Sequence, residues 1–368
     1  MRAKRLDRVF LFTIIFMTFG GFFIFMSASF NLISSKDSSG FISAIANQFL
    51  LGIVGGFCAM ILASRVKYTF WKKTSLIIFI VSIIVTLLVF VPELGLSVGG
   101  AKRWINLGPL SFQPAELLKI TSLIMIASLI SKSRDNIKTF NRGLLPILFI
   151  FLITGSILLS QPDTDTFVFM VVSGLCMFIA AGGKLKHLLI ASAIGLIVTL
   201  SLIETRPYLK ERFETFFNPE TVDSFGPAYQ IEQSLIAIGS GGVAGRGFGQ
   251  SIQKFGYLPE PTTDSIFAVA AEEFGLAGGL VIIISFVIFG LRGLLIGKKA
   301  PDTFNRVLVI GIIILILSES FVNMASMMGL IPLAGTPLLF VSRGGTALFF
   351  TLAACGIVLN ISKQLRKV

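Results

Sequence analysis

The residues best suited to chemistry gather in Gln253–Gly275, QKFGYLPEPTTDSIFAVAAEEFG, where Asp264 stands at the change from a polar loop to an apolar helix. A carboxylate at a membrane boundary costs free energy unless it has partners or a task, which makes it a functional-site candidate. Glu260 lies four residues before it, and Glu272 and Glu273 follow on the helix. Two readings stand side by side. One is acid–base chemistry; the other is a helix start with Thr263 or Asp264 as N-cap and the two glutamates buried and paired.

A second constellation is Gly99–Lys119, GGAKRWINLGPLSFQPAELLK. Pro114 suits the first turn of a helix, where its missing donor is harmless. Glu116 and Lys119 then share one helical face, either as a pair fixing the helix entrance or facing a polar cavity. Lys102 and Arg103 beside Trp104 read as interfacial anchors or as a site for lipid phosphate, and QPDTDT adds Asp163 and Asp165. Gly239–Gly249, GSGGVAGRGFG, contains Arg246 and is followed by Lys254. Its glycines suit backbone amides approaching an anion, or a tight crossing near the membrane; the spacing is neither a Walker loop nor a dinucleotide fingerprint.

Other chemistries lack their residues. The single histidine, His187, sits beside Lys184 and Lys186 in a short basic loop, and Cys58, Cys176 and Cys355 fall in apolar runs. Zinc sites and Ser–His or Cys–His catalysis are therefore excluded, as is a disulfide framework, and acid–base work falls to carboxylates or lysines.

The elements that must position these groups are membrane helices. The 368-residue chain is 54% apolar and 14% charged, with a mean hydropathy of +0.88. A helix crosses a bilayer with roughly 20 apolar residues. About ten such runs occur, near 9–30, 42–63, 75–92, 117–131, 144–160, 167–182, 188–204, 266–296, 307–328 and 345–361. The first lacks a small-residue cleavage site and reads as a retained helix. The expected fold is thus an all-α integral membrane protein, one polytopic domain over residues 1–368. Glu319 and Asn323, four apart in the ninth run, are the main polar exception inside the membrane.

Basic residues set the expected orientation. With the N-terminus cytoplasmic, Arg2, Lys4, Arg5, Arg8, Arg65, Lys67, Lys72, Lys73, Lys132, Arg134, Lys138, Arg142, Lys184, Lys186, Lys298, Lys299, Arg306, Lys363, Arg366 and Lys367 all lie inside. Of the 19 acidic residues, only Asp7, Asp135 and Asp302 join them. The net charge of +12 is then a topological signal, and without basic–aromatic interleaving it gives no nucleic-acid surface. Both termini are expected in the cytoplasm. A long extracytoplasmic segment, about 205–264, carries Tyr229–Ser240, whose helical spacing suits a short amphipathic or re-entrant helix.

Taken in order, GAKRWI, FQPAELLK, QPD, AIGSGG, QKFGYLPE with TD, AEE.G and the final N…G..P..G.PL.F.S.GG resemble the signature of the SEDS family (shape, elongation, division and sporulation). Its members include FtsW and RodA, and QKFGYLPE is closer to FtsW and its sporulation relative. The resemblance covers nearly the whole chain. It implies a peptidoglycan glycosyltransferase of the bacterial cytoplasmic membrane that polymerises lipid II on the outer face during cell division. The family's proposed catalytic aspartate falls on Asp264, its acid and lysine on Glu116 and Lys119, and a further acid on Asp163. Ser265 stands where phenylalanine is usual, Asp165 where glycine is usual, Ala115 where serine is usual, and Arg343 at a tyrosine position.

That resemblance implies an inverting transfer, in which one carboxylate serves as general base. The leaving group, undecaprenyl pyrophosphate, needs charge neutralisation. Lys119, Arg246, Lys254, Lys102 and Arg103 are the cationic candidates, with Glu116, Asp163 and Glu260 holding the cavity. A divalent cation such as Mg or Mn is the one cofactor left open, with no ligands assigned. The implied partner is a class B penicillin-binding transpeptidase, together with other division proteins. A lipid-linked-sugar flippase and a non-catalytic scaffold for such a transpeptidase are the alternatives.

Sidedness is directly testable. Single cysteines at Ser224 and Thr303, in a background lacking the three native cysteines, should label oppositely. A membrane-impermeant thiol reagent on intact spheroplasts reaches 224 and misses 303; the reverse pattern inverts the topology.

Overall fold

The computed structural model describes residues 6–34, 38–98, 101–107, 110–133, 136–218 and 226–365; Ser224, Arg134 and Asp135 lie outside these residues. Helices α1 (Arg8–Ala28), α2 (Phe30–Ser34) and α3 (Ser38–Asn47) lead into a π-helical stretch, Gln48–Gly55, and α4 (Gly56–Arg65). Next come α5 (Tyr68–Leu87), strands β1 (Gly95–Val98), β2 (Ala101–Leu107) and β3 (Leu110–Phe112), then α6 (Pro114–Lys132), α7 (Leu145–Ser160), α8 (Thr164–Ala180) and α9 (Leu185–Thr205). Two short helices, α10 (Pro207–Phe217) and α11 (Pro227–Ser240), precede α12 (Ile266–Lys298), α13 (Thr303–Met327) and α14 (Gly345–Ser362).

Among the described residues, nine helical spans are long and apolar enough to cross a membrane, and α8 is a shorter apolar helix. Burial sorts them into layers. The most hydrophobic windows of α14, α6 and α13 are 78%, 72% and 67% buried, whereas that of α9 is 6% buried. The first three are the centre of the bundle, and α9 lies at its rim, with Ala191 its one buried residue.

The expected cytoplasmic segments meet at one end. Asp7 caps α1 through Phe10 N–H and pairs with Arg292 at 2.8 Å, while Asn360 and Lys363 both donate to Ser64 O. At the opposite end the structure adds a feature the sequence reading did not foresee, an antiparallel sheet in the order β1–β2–β3 with Gly95 opposite Ile105 and Ile105 opposite Phe112. Strands of four, seven and three residues in a glycine-rich stretch carry too short an alternation to read. The sheet positions Arg103, which shares a face of β2 with buried Ile105.

The glycine-rich loop is a clamp on α12. Arg246 and Gly247 donate to Glu272 O and Glu273 O, and Leu276 and Ala277 donate back to Gly242 O and Val243 O. Gly275 interrupts the helix at φ 65°, and a Cβ there or at Gly245 would strike the other's backbone. The loop's amides thus bond helix carbonyls, which replaces the phosphate-cradling alternative. Lys254 completes the clamp: fully buried, its Nζ lies 2.6 Å from Glu273 and 3.1 Å from Ser27 Oγ, between the Phe30 and Phe255 rings. Neither Lys254 nor Arg246, which pairs with Glu272 at 3.3 Å, is free for pyrophosphate as the sequence suggested.

Because Lys254 and Glu273 are buried together, removing one partner strands the other, at about 3–5 kcal/mol. Lys254→Ala should lower the thermal midpoint in detergent sharply, and Lys254→Met with Glu273→Leu should recover most of the loss. Equal losses in the single and double variants would show that the charges do not compensate each other.

Candidate functional site

Asp264 sits on a tight turn that is held from four directions. Glu260 adopts φ 48°, and its carbonyl accepts from Thr263 and Ser265 N–H. Ser265 Oγ donates to Pro259 O and accepts from Gln230 Nε2 of α11 at 2.9 Å. From α13, Asn323 Nδ2 donates to Asp264 O at 2.7 Å and to Thr336 O at 2.6 Å. From the α13–α14 loop, Ser342 Oγ donates to Thr263 O at 2.6 Å and Arg343 N–H to Thr262 O at 2.7 Å.

All of this grips the main chain, and the carboxylate stays free. Among the described residues no hydrogen bond or ion pair engages it. The N-cap of α12 is Ser265, with no side-chain cap bond, so the alternative of Thr263 or Asp264 as a helix cap does not hold. The turn is set instead by Glu260 O. Partial burial pushes the Asp264 carboxyl up to about 7; Glu260 adds repulsion, Arg212 opposes it, Asp165 adds a little and Arg103 removes a little. Gly335 packs beside it, where a Cβ would lie 3.6 Å from Asp264 Oδ2 and 2.8 Å from Arg212 Nη2.

Around this mouth Arg212 and Arg103 are already paired. Arg212 of α10 bonds Asp165 at 3.2 Å and stacks over Tyr208, whose hydroxyl meets Thr164 Oγ1 at 2.6 Å. Arg103 lies 3.9 Å from Asp163 and donates to Gln161 O and Pro162 O. Buried Asp163 keeps its Oδ2 without a partner. Glu260 is exposed and accepts from Thr263 Oγ1 at 2.7 Å; Lys102 is exposed on β2.

Deeper in, the expected Glu116–Lys119 pair is a triad. Lys119 Nζ lies 2.9 Å from Glu116 on its own helix and 2.9 Å from Glu319 on α13, with all three side chains buried. Glu319 is one turn from Asn323, so the same helix carries both the triad's second acid and the bond that holds Asp264. The structure therefore brings Asp264, Glu260, Asp163 and Arg103 to one mouth, with the triad beneath, and leaves Arg246 and Lys254 in the loop clamp. Sequence reasoning missed Arg212, which nothing distinguishes among the charges of PYLKERFETFF. It noted Glu319 and Asn323 as polar groups in an apolar run without placing them here. Among the described residues, no group of three or more His, Cys, Asp or Glu side chains is placed to hold a metal ion.

Helices packed around a buried charged triad, opening on a rigid polar mouth, define a polytopic membrane protein with a site at one face of the bilayer. The family model described as cell cycle protein (FtsW, RodA, SpoVE) matches residues 7–367. Stage V sporulation protein E of Bacillus subtilis (strain 168) is 36% identical over 354 residues, covering 96% of each chain. A probable peptidoglycan glycosyltransferase FtsW of Geobacter sp. (strain M18) is 35% identical over 365 residues, covering 99% of each. Among solved structures, a chain of a peptidoglycan synthase complex aligns with a TM-score of 0.80 at 24% identity over 98% of both chains. The rod shape determining protein RodA of Thermus thermophilus aligns at 0.70 and 22% identity, covering 99% of this chain and 98% of that one. The chain belongs to the FtsW/RodA/SpoVE family, and it is a multi-pass protein of the bacterial inner membrane.

The triad predicts unequal single variants. Glu116→Ala leaves Lys119 neutralised by Glu319, whereas Lys119→Ala leaves two carboxylates buried against each other, a loss of about 3–5 kcal/mol. Thermal unfolding in detergent should rank Lys119→Ala well below Glu116→Ala, with Glu116→Gln and Glu319→Gln together rescuing Lys119→Met. Equal midpoints for the two alanine variants would dissolve the triad into a simple pair.

Proposed function

We propose that this protein is a peptidoglycan glycosyltransferase that polymerises lipid II at the outer face of the membrane, with Asp264 as general base. The observation that carries the reading is Asp264 itself: a carboxylate on a backbone-locked turn, unpaired among the described residues, and raised to about 7 by burial. A base with that proton affinity takes up a sugar hydroxyl proton effectively near neutral pH. As the acceptor's 4-oxygen bonds to the donor's anomeric carbon, its proton passes to Asp264. The bond from that carbon to the pyrophosphate oxygen breaks, its electron pair leaves with undecaprenyl pyrophosphate, and the anomeric centre inverts.

Arg212 and Arg103 are each already held by an aspartate and leave the Asp264 carboxylate without a partner. The outward placement rests on the basic residues gathered at the other end of the bundle. A class B transpeptidase is the fitting partner, since the similar solved chain comes from a complex of polymerisation and crosslinking. The flippase alternative has less support: the deepest charges, Glu116, Lys119 and Glu319, are closed on one another.

The test is purified protein with its transpeptidase and labelled lipid II, read as glycan chains on a gel. Asp264→Asn should cost about 10²–10⁴-fold in rate, and wild-type kcat/KM should rise with pH and level off above about 7. The stability sign is opposite. A folded-state carboxyl raised from 3.8 to about 7 holds a proton that the unfolded chain has lost, so stability falls as pH rises through that window. Asp264→Asn should therefore melt higher than wild type at pH 8 and close to it at pH 4. A variant keeping half the wild-type rate would refute the role of Asp264.

A further inference from the structure

We propose that Arg343 and the uncapped first turn of α14 form an anion site for the pyrophosphate of a polyprenyl-linked sugar. The site deepens the polymerase reading and rests on it for the identity of the lipid.

Charge accounting at this end of the molecule points to it. Pyrophosphate carries two or more negative charges, and of the cations first suggested for it all but Lys102, exposed on β2, are occupied. Lys119 is held by Glu116 and Glu319, Lys254 by Glu273, Arg246 by Glu272, Arg103 by Asp163 and Arg212 by Asp165. A buried carboxylate already touching a guanidinium or ammonium must be displaced before an anion gains from that charge. Among the described residues, Arg343 is exposed, and no acid pairs with it. By the family resemblance it falls at a position usually held by tyrosine.

Its base is rigid while its head is free. Arg343 N–H is bonded to Thr262 O, two residues from Asp264. On either side, Gln48 spans the segment, donating from Nε2 to Ser342 O at 3.2 Å and accepting from Gly344 N–H at Oε1 at 2.9 Å. Gln48 is buried at the start of the π-helical stretch, a local geometry that often marks functional sites. The guanidinium therefore starts from a fixed point beside the catalytic turn, which lowers the entropy lost on binding.

The second contribution is the helix that follows at once. The 18-residue α14 has Gly344 as N-cap with no side-chain cap bond, so its first amides and the positive end of its dipole lack the usual side-chain acceptor. Within that turn Thr346, 2% exposed, keeps its hydroxyl without a partner. A buried hydroxyl without a partner in an uncapped first turn, three residues after an exposed arginine, supplies donors of the kind that bind phosphate oxygens.

Binding is measured without turnover, in the Asp264→Asn background, with the protein in zwitterionic nanodiscs. Undecaprenyl pyrophosphate and undecaprenyl monophosphate are titrated separately, and phosphatidylglycerol nanodiscs form a third arm. Arg343→Gln should weaken undecaprenyl pyrophosphate binding about 10-fold or more, the scale of one lost charge-assisted hydrogen bond. Arg343→Lys should fall between, Thr346→Val should weaken binding by a smaller factor, and the monophosphate should suffer less than the pyrophosphate. Arg343→Tyr, which restores the residue usual in the family, guards against misfolding and should melt like its parent while binding as weakly as Arg343→Gln. Unchanged pyrophosphate affinity in Arg343→Gln overturns the proposal. So does a loss confined to the phosphatidylglycerol arm, which would make Arg343 a headgroup anchor. If binding behaves as expected but no glycan forms under any condition, the site stands and the polymerase reading fails.

Discussion

The structure turns on one constraint: a carboxylate must be fixed in space without being bonded. The side chain of Asp264 can stay unpaired because its main chain is secured instead, above all by Asn323, whose single amide nitrogen donates to both Asp264 O and Thr336 O. One buried side chain on α13 thereby joins the start of α12 to the α13–α14 loop. Any rearrangement that breaks these bonds leaves main-chain carbonyls unsatisfied in a poorly hydrated place, at a cost of about 1–3 kcal/mol each. The turn is therefore stiff, and its half-buried carboxyl, with no partner among the described residues, keeps a raised proton affinity.

The same helix links the mouth to the membrane interior. Glu319 lies one turn from Asn323 and meets Lys119, which also meets Glu116 at the head of α6. Three charges with one positive sign among them are expensive in hydrocarbon, and they persist because each touches another. They fix α6 against α13 at a defined depth, and α6 begins at Pro114, directly after β3 and the sheet carrying Arg103. Loop geometry, sheet placement and helix register are thus tied to one buried cluster. On the other flank the Lys254–Glu273–Ser27 cluster does similar work, binding the glycine-rich loop to α1 and to the kink at Gly275.

Charge at the mouth is distributed by pairing. Arg103, Arg212, Arg246, Lys119 and Lys254 all face acids, so the many positive charges near the site supply local order more than a free anion field. Among the described residues, Lys102 on β2 and Arg343 just before α14 are exposed and paired with no acid. Ser265, whose hydroxyl accepts from Gln230, adds a polar contact that ties the turn to α11.

Much was determined by sequence alone. Apolar runs of spanning length made the fold all-α and membrane-embedded, since a backbone in hydrocarbon has to satisfy its own hydrogen bonds. Asp264 was legible as an acid at a helix boundary, Pro114 as a first-turn residue, and Tyr229–Ser240 as a short helix, because each is a local signal. Tertiary structure decided what is non-local: that Lys119 belongs to Glu319, 200 positions away, that Arg246 and Lys254 serve the loop clamp, that Arg212 faces Asp165, and that Asp264 is no cap. A charge in a sequence announces only that it needs compensation. Which group supplies it depends on which helices touch, and that is settled by packing across the bundle.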